Sequence, residues 1–444
     1  MTTPIVDFVK KYAQSNSVRA HMPGHKGQGN FCESFDITEI DGADCLYSAK
    51  GIIAESEKNA SKLFNANTFY STEGSTLSIR AMLYLALQGA LAQGKRPLIA
   101  SGRNAHKSFL TTCAMLGLDV EWIYPKNNAD LLDCQIDLLD IENYFERTTD
   151  LPCALYLTTP DYLGNVVDLS AVSKLCKKHG VLLLIDNAHG AYLKFLSPSL
   201  HPIDLGADMC CDSAHKTLPT LTGGAYLHLS KNLPPVFSEK AKYALSVFGS
   251  TSPSYLILQS LDQTNQVLFS DYPKALADFI EKISELKQCL MQKNFALLGQ
   301  EPLKITVNTK QYGYLGTDFS ELLKQKGIFV EYYDSDYVVL MLSPSTSDSQ
   351  LKAVYSAFTS IKQRAGIKER PPKICEHEKS LSPREAVMQL SETVTVENAL
   401  GRICAAPIVN CPPAIPIIVS GEVIDQNTID CFNYYGIKEI LVVK

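Results

Sequence analysis

The feature that most constrains this chain is the alternation between Leu63 and Ser230, where short apolar runs take turns with segments of helical periodicity. Runs at Phe69–Thr72, Leu98–Ser101, Val120–Tyr124, Ala154–Thr158, Val181–Ile185, Met209–Asp212 and Ala225–Leu229 have the length and apolar content of buried strands. Ser75–Leu91 and Leu169–His179, which lie between them, carry helical spacing. Alternation of this kind implies a mostly parallel central sheet whose strands are joined by crossovers, an α/β domain whose ligands bind beyond the carboxyl ends of the strands. Chemistry is therefore expected in the residues that directly follow each run.

One stretch stands out on that criterion. The run Val181-Leu-Leu-Leu-Ile185 ends in Asp186-Asn-Ala-His-Gly190, and thirty positions after Asp186 comes Lys216, within Asp212-Ser-Ala-His-Lys-Thr217. A carboxylate at the end of a buried strand, with a lysine placed behind a serine and a histidine, suits covalent attachment of pyridoxal phosphate. The aldehyde needs an amine for a Schiff base, which Lys216 supplies, and the ring nitrogen needs an acid to stay protonated, which is Asp186. Either half alone has an ordinary reading, as a cap or turn aspartate and a surface His-Lys pair. The two in order and at this spacing carry the argument.

Other strand ends add to it. Thr72-Glu-Gly-Ser-Thr76 follows one run and opens a helix, where Gly74, Ser75 and Thr76 would offer N–H groups and hydroxyls to a phosphate or act as ordinary N-caps. Arg103-Asn-Ala-His-Lys-Ser108 follows the next, so His106 would lie flat on a pyridine ring or be a satisfied loop histidine. Thr159-Pro-Asp-Tyr-Leu-Gly164 places Asp161 and Tyr162 at a third strand end, in what Pro and Gly alone would mark as a turn. Ser250-Thr-Ser-Pro-Ser-Tyr255 is a hydroxyl-rich turn and at minimum a helix cap.

The remaining segments set the domain organisation. Residues 1–60 read as an amphipathic helix and an irregular arm, which holds His21-Met-Pro-Gly-His-Lys-Gly27 and is read as a structural loop. Residues 61–295 form the large domain and close on an amphipathic helix from Asp271 to Asn294. Residues 296–365 mix strand-like runs at Leu303–Val307, Ile328–Tyr333 and Tyr337–Leu342 with helices at Thr317–Gln325 and Ser347–Ile361, a small α/β domain. Lys362–His377 is a polar linker, and 375–444 a C-terminal subdomain whose Cys411-Pro-Pro-Ala-Ile-Pro stretch is too proline-rich for an internal strand.

Composition excludes several classes. A net charge of −6 gives no general attraction for nucleic acid or anionic membrane. No apolar stretch reaches the length of a bilayer span, and the start of the chain lacks the pattern of a signal peptide. Thirteen scattered cysteines, without a Cys-x-x-Cys pair, point to reduced thiols in a cytoplasm and to no metal site.

With these segments in hand, the chain resembles the bacterial ornithine/lysine/arginine decarboxylases, pyridoxal-phosphate enzymes of the aminotransferase-type fold (fold type I). The likeness rests on Met22-Pro-Gly-His-Lys-Gly27, Glu73-Gly-Ser-Thr76, His106-Lys-Ser108, Pro160–Gly164, Asp186-x-Ala-His-Gly190, Ser213-Ala-His-Lys216, Ser252-Pro-Ser-Tyr255, and Ser382-Pro-Arg-Glu with Ser420-Gly-Glu422 in the tail. It is similar to the short form without the N-terminal receiver-like domain. The resemblance implies that Lys216 forms the Schiff base, Asp186 pairs with the pyridinium, His106 stacks on the ring, and His189 sits beside it near the substrate. It implies a phosphate held by Ser75, Thr76, Ser213 and His215, and a turn, Ser250, Thr251 and Ser252, lent by the neighbouring subunit of a homodimer or higher homo-oligomer. Departures from the usual pattern are Glu73, Asn187, Asp161 and Ser420.

The implied reaction is decarboxylation of a basic L-amino acid in polyamine metabolism, arginine ahead of lysine and ornithine, with Glu422, Asp161 and Glu73 as candidate acids for the cationic side chain. Two alternatives stand beside it. An aminotransferase of the same fold would need an arginine to clamp the retained carboxylate, and residues 301–360 contain none. A catalytically silent relative would be expected to have lost Lys216 or Asp186, and both are present.

Overall fold

The computed structural model describes residues 1–125, 136–373, 375–411 and 415–444; the Pro412 to Ala414 part of the proline-rich tail stretch lies outside them. In chain order the first elements are α1 (Pro4–Ala13), α2 (Ile52–Phe64), β1 (Asn67–Ser71), α3 (Gly74–Ala92), β2 (Leu98–Gly102), α4 (Lys107–Leu116), β3 (Asp119–Ile123), α5 (Leu138–Arg147), β4 (Ala154–Thr158) and α6 (Leu169–His179). Next come β5 (Leu182–Asp186), β6 (Met209–Asp212), α7 (Ala214–Thr217), β7 (Ala225–Leu229), α8 (Pro235–Phe248), α9 (Tyr255–Phe269) and α10 (Tyr272–Met291). Then follow β8 (Ala296–Leu298), β9 (Lys304–Asn308), α11 (Gly316–Lys324), β10 (Tyr332–Tyr333), β11 (Tyr337–Met341) and α12 (Asp348–Thr359). The tail adds α13 (Pro383–Met388), β12 (Ser391–Thr395), β13 (Ile408–Cys411), β14 (Ile415–Val419), α14 (Gln426–Tyr434) and β15 (Glu439–Val443). All seven runs expected as strands in the large domain are strands.

The chain divides into two compact units, one of Met1–Gly94 with Leu182–Leu276, the other of Lys95–Val181 with Ala277–Lys444. In the first unit the strands lie in the order β1-β7-β6-β5. β5 and β6 are parallel, with Asp186 opposite Cys211, whereas β7 runs antiparallel to both β6 and β1. The sheet is thus mostly parallel, as expected, with β7 as its antiparallel exception. A parallel return needs a crossover, usually a helix. The connection from β6 to β7 runs over residues 213–224, and its one helix is the four-residue α7, too short to cross the sheet, so the chain turns back beside β6 and that return carries Lys216. The five residues of β7 and the four of β6 are all buried, as internal strands require.

In the second unit β2 pairs in parallel with β3 and with β4. The crossover helix α6 is well specified locally. Asp168 caps it by accepting from the amides of Ser170 and Ala171, Lys177 and Lys178 occupy its last turn, and Gly180 ends it at φ +65°. The same unit holds the antiparallel sheet β10-β11-β9-β8, in which β8 was not expected. The expected strand at Ile328–Tyr333 shrinks to Tyr332–Tyr333, because Phe329 is 79% exposed and the preceding residues face solvent. β12 pairs with β15 and β13 with β14 as two-stranded ribbons, so Pro416 sits in an edge pair, where its missing N–H breaks no internal ladder. Their core includes Val396, Cys404, Ile417, Ile418, Ile424, Phe432, Ile440 and Val442.

In the first unit Asp262, on α9, accepts hydrogen bonds from the amides of Ile5 and Val6 at 2.9 and 3.1 Å and so anchors the start of α1. Burial raises this carboxyl from 3.8 to about 6, against the lowering effect of Ser56 and those amides. A raised folded-state pKa means that the folded protein binds the proton more tightly. The stabilising contribution is therefore full below pH 3.8 and lost as the pH rises through about 6. Asp262→Asn is expected to flatten the change in stability between those limits, which urea unfolding at a series of pH values would measure.

Candidate active site

The first unit brings together most of the residues singled out in the sequence. Asp186, only 2% exposed, ends β5; one carboxylate oxygen accepts from the Ala188 amide at 3.2 Å, with the Cys211 thiol 3.5 Å away. Lys216 lies on α7, and its Nζ is 2.9 Å from His189 Nε2. His189 is buried and Lys216 half-buried, so the pair can exchange a proton without bulk water as intermediary.

The phosphate candidates converge at the start of α3. Ser213 Oγ donates to Ser75 Oγ at 2.8 Å, joining the residue before α7 to the first turn of α3. Glu73 stands at the N-cap position without a side-chain cap bond, so Ser75 and Thr76 are not caps, and they occupy the first turn, where helical N–H groups have no preceding carbonyl. Gly74 adopts φ +69°, a left-handed conformation that favours glycine, and its amide donates to the Gly223 carbonyl at 2.8 Å. His215 donates from Nδ1 to the Gly224 carbonyl at 2.9 Å, and burial lowers its pKa, so a neutral ring presents Nε2. Two serine hydroxyls, a helix N-terminus, a glycine-bound turn, a lysine and a buried strand-end acid form a donor set that fits pyridoxal phosphate.

Ser250, Thr251 and Ser252 are exposed in this chain. The Ser250 amide donates to the Glu73 carboxylate at 2.6 Å, and the Ser252 amide to Ser250 Oγ at 3.1 Å. The turn precedes α9, but Ser254, at the N-cap, makes no side-chain cap bond, contrary to the expected hydroxyl cap.

The remaining candidates belong to the second unit. His106 is the N-cap of α4, where Nδ1 accepts from the Ser108 amide at 3.3 Å and lies 2.7 Å from Ser108 Oγ, leaving Nε2 as the protonated nitrogen. Asp161 is buried, and both its oxygens accept from Asn165, one from the amide and one from Nδ2, each at 2.8 Å. Burial raises its pKa despite those bonds. Tyr162 packs edge-on against Tyr332 at 5.8 Å. Asp161 thus clasps its own turn through Asn165.

Glu422 has an internal partner as well. Its two oxygens accept from Arg103 Nη1 and Nη2, each at 2.6 Å, with Arg103 fully buried and Glu422 4% exposed. Arg103 also donates to the carbonyls of Pro416 and Ile417 at 3.3 Å and lies over the Trp122 ring at 4.9 Å. Burial alone would raise the Glu422 carboxyl, but the guanidinium holds it below the ordinary carboxylate range. Glu422 Oε2 also accepts from the Val419 amide at 2.9 Å, so the carboxylate is engaged by charge and by backbone together. Arg103 was passed over in the sequence because one arginine after a strand carries no signal until its carboxylate, 319 positions on, is known.

An α/β unit with a Schiff-base lysine, a buried ring acid and a phosphate cradle defines the fold type I pyridoxal-phosphate enzymes. Residues 3–300 match the model of the Orn/Lys/Arg decarboxylase major domain, and residues 372–440 that of its C-terminal domain. The chain belongs to the Orn/Lys/Arg decarboxylase family of pyridoxal-phosphate-dependent amino-acid decarboxylases. It is 30% identical to the uncharacterized protein YaaO of Bacillus subtilis (strain 168), over 97% of this chain and 93% of that one. It is 28% identical to an arginine decarboxylase of the same organism, over 96% and 92%. The constitutive lysine decarboxylase of E. coli shares the fold at a TM-score of 0.80 and 16% identity, covering 100% of this chain and 82% of the other. Among the described residues no helix is long and apolar enough to cross a membrane.

Removing one partner of the Arg103–Glu422 pair strands a buried charge. Arg103→Ala is expected to cost about 3–5 kcal/mol of stability, and Arg103→Lys to recover only part because an ammonium cannot make the fork. Urea unfolding of the two variants beside wild type measures both.

Proposed function

We propose that this protein decarboxylates a basic L-amino acid, arginine ahead of lysine and ornithine, to the amine and carbon dioxide. It does so with pyridoxal phosphate, as a cytoplasmic homodimer serving polyamine synthesis. The observation that carries the chemistry is the Lys216 Nζ–His189 Nε2 pair at 2.9 Å, in the same unit as the buried Asp186. Preference for arginine is supported by similarity, over nearly the whole chain, to several Bacillus proteins named arginine decarboxylase. All described cysteines are free thiols, in keeping with a reducing compartment.

When bound, the cofactor supplies an electron sink for the pair released as the Cα–carboxylate bond breaks. Lys216 supplies the amine that tethers it, and His189 exchanges a proton with that amine, so either group can return a proton to the substrate Cα. Asp186 holds the proton on the ring nitrogen. Ser75, Thr76, Ser213 and His215 would bind the phosphate, and ring stacking is what the resemblance implies for His106. The Ser250–Ser252 turn, braced by Glu73, is the segment assigned to the neighbouring subunit. With Glu422 and Asp161 held by Arg103 and Asn165, neither is assigned to the substrate side chain.

Transamination is disfavoured because residues 301–360 contain no arginine to clamp a retained carboxylate. The test is carbon dioxide release from arginine, lysine and ornithine, with aromatic amino acids as controls and products identified by mass. Release without a keto-acid acceptor, fastest with arginine and reduced at least about a thousandfold in Lys216→Ala, is expected. Strict dependence on 2-oxoglutarate, or a preference for an uncharged substrate, would overturn the reading.

A further inference from the structure

Beneath the candidate site, and unused by the chemistry above, lies a fully buried carboxylate with three nitrogen partners. Asp212, the last residue of β6, accepts from Asn187 Nδ2 at 2.7 Å through one oxygen. Its other oxygen lies 3.1 Å from both His201 Nε2 and His228 Nε2. An ionised carboxylate only accepts, so both rings present an Nε2–H to it. His228 completes its bonding through Nδ1, 2.9 Å from Thr68 Oγ1, and Phe64 packs against both imidazoles on their apolar side. Burial alone would raise the Asp212 carboxyl, but the two histidines hold it well below the ordinary carboxylate range.

The position of this cluster in the chain gives it a role. Asp212 directly precedes Ser213, which bonds to Ser75, and stands four residues before Lys216; Asn187 directly follows Asp186. The β5–β6 ladder ends at the pair Asp186 and Cys211. Beyond it the two chains are joined by the Asn187 amide on the Cys211 carbonyl at 3.0 Å and by the Asn187–Asp212 side-chain bond. That side-chain bond therefore links the segment holding the ring acid to the segment holding the lysine.

We propose that Asp212 is a positioning residue for the reaction: through Asn187 it sets the spacing of Asp186 and Lys216, and His201 and His228 lock its orientation. The proposal rests on the pyridoxal-phosphate reading of the site. A metal is the rival explanation, since His201, Cys210 and Asp212 offer ligand atoms within 4.8 Å of one another. That set supplies three ligands where a structural zinc takes four, and the hydrogen bonds already account for the contacts to Asp212.

The test compares Asp212→Asn, Asn187→Ala and, as a packing control, Phe64→Leu. Each purified variant is titrated with pyridoxal phosphate, and the visible circular dichroism of the bound cofactor and the kcat and KM for arginine are recorded. Asp212→Asn and Asn187→Ala are expected to weaken cofactor binding about tenfold, to shrink the visible dichroism per bound cofactor, and to lower kcat more than they raise KM. Phe64→Leu is expected to lower the melting temperature and leave the dichroism alone. Asn187→Ala spares the carboxylate and its histidines, so it decides the question if Asp212→Asn does not fold. Wild-type binding and dichroism in Asn187→Ala, an equal spectral change in Phe64→Leu, or one equivalent of zinc in the purified protein would each overturn the proposal. Wild-type protein that took up no pyridoxal phosphate would overturn both this proposal and the function it rests on.

Discussion

A charge taken out of water must be met by hydrogen bonds or an opposite charge, or it unfolds what buries it. This protein buries charge repeatedly, and much of its architecture follows from how each one is met. Asp212 is held by two histidines and an asparagine, Glu422 by the fork of Arg103, and Asp262 by the amides that open α1. In each case the partner comes from a distant part of the sequence, so compensation and tertiary linkage are the same event. Arg103–Glu422 ties the end of β2 to the C-terminal subdomain, and Asp262 ties α9 to the first helix.

The same rule distinguishes the acids by the partners that folding brings to them. Asp186 ends its strand with the Ala188 amide and the Cys211 thiol beside one oxygen. Glu422 and Asp161 are engaged through both oxygens. Carboxylates that look equivalent in a sequence, each next to a glycine or at a strand end, thus divide by the partners that folding brings to them. Glu73 is a milder case, an unusual acid at the start of α3 that receives the amide of Ser250.

Much of the large domain was legible because its signals are local. Continuous apolar runs between polar turns located the seven strands, and the Asp168 cap with Gly180 bounded α6 to the residue. Lys216, His189 and Asp186 were legible for a related reason, since Asp186 ends a recognisable strand and the other two follow strand ends by three and four residues. What escaped notice depended on pairing. The direction of β7 is set by the short return after β6, the brief β8 exists through its antiparallel pairing with β9, and exposed Phe329 interrupts a run that otherwise reads as strand.

By itself the sequence determined where strands and helices lie, which strand ends carry a lysine, an acid and a phosphate-type turn, and so the class of chemistry, because backbone propensity and periodicity act over a few residues. Only the tertiary structure decided that Glu422 pairs with Arg103, that Asp161 closes on Asn165, and that Asp212 gathers two histidines and an asparagine. Those outcomes turn on separations of about 3 Å between residues a few to hundreds of positions apart, at which the cost of burial and the gain of pairing are weighed.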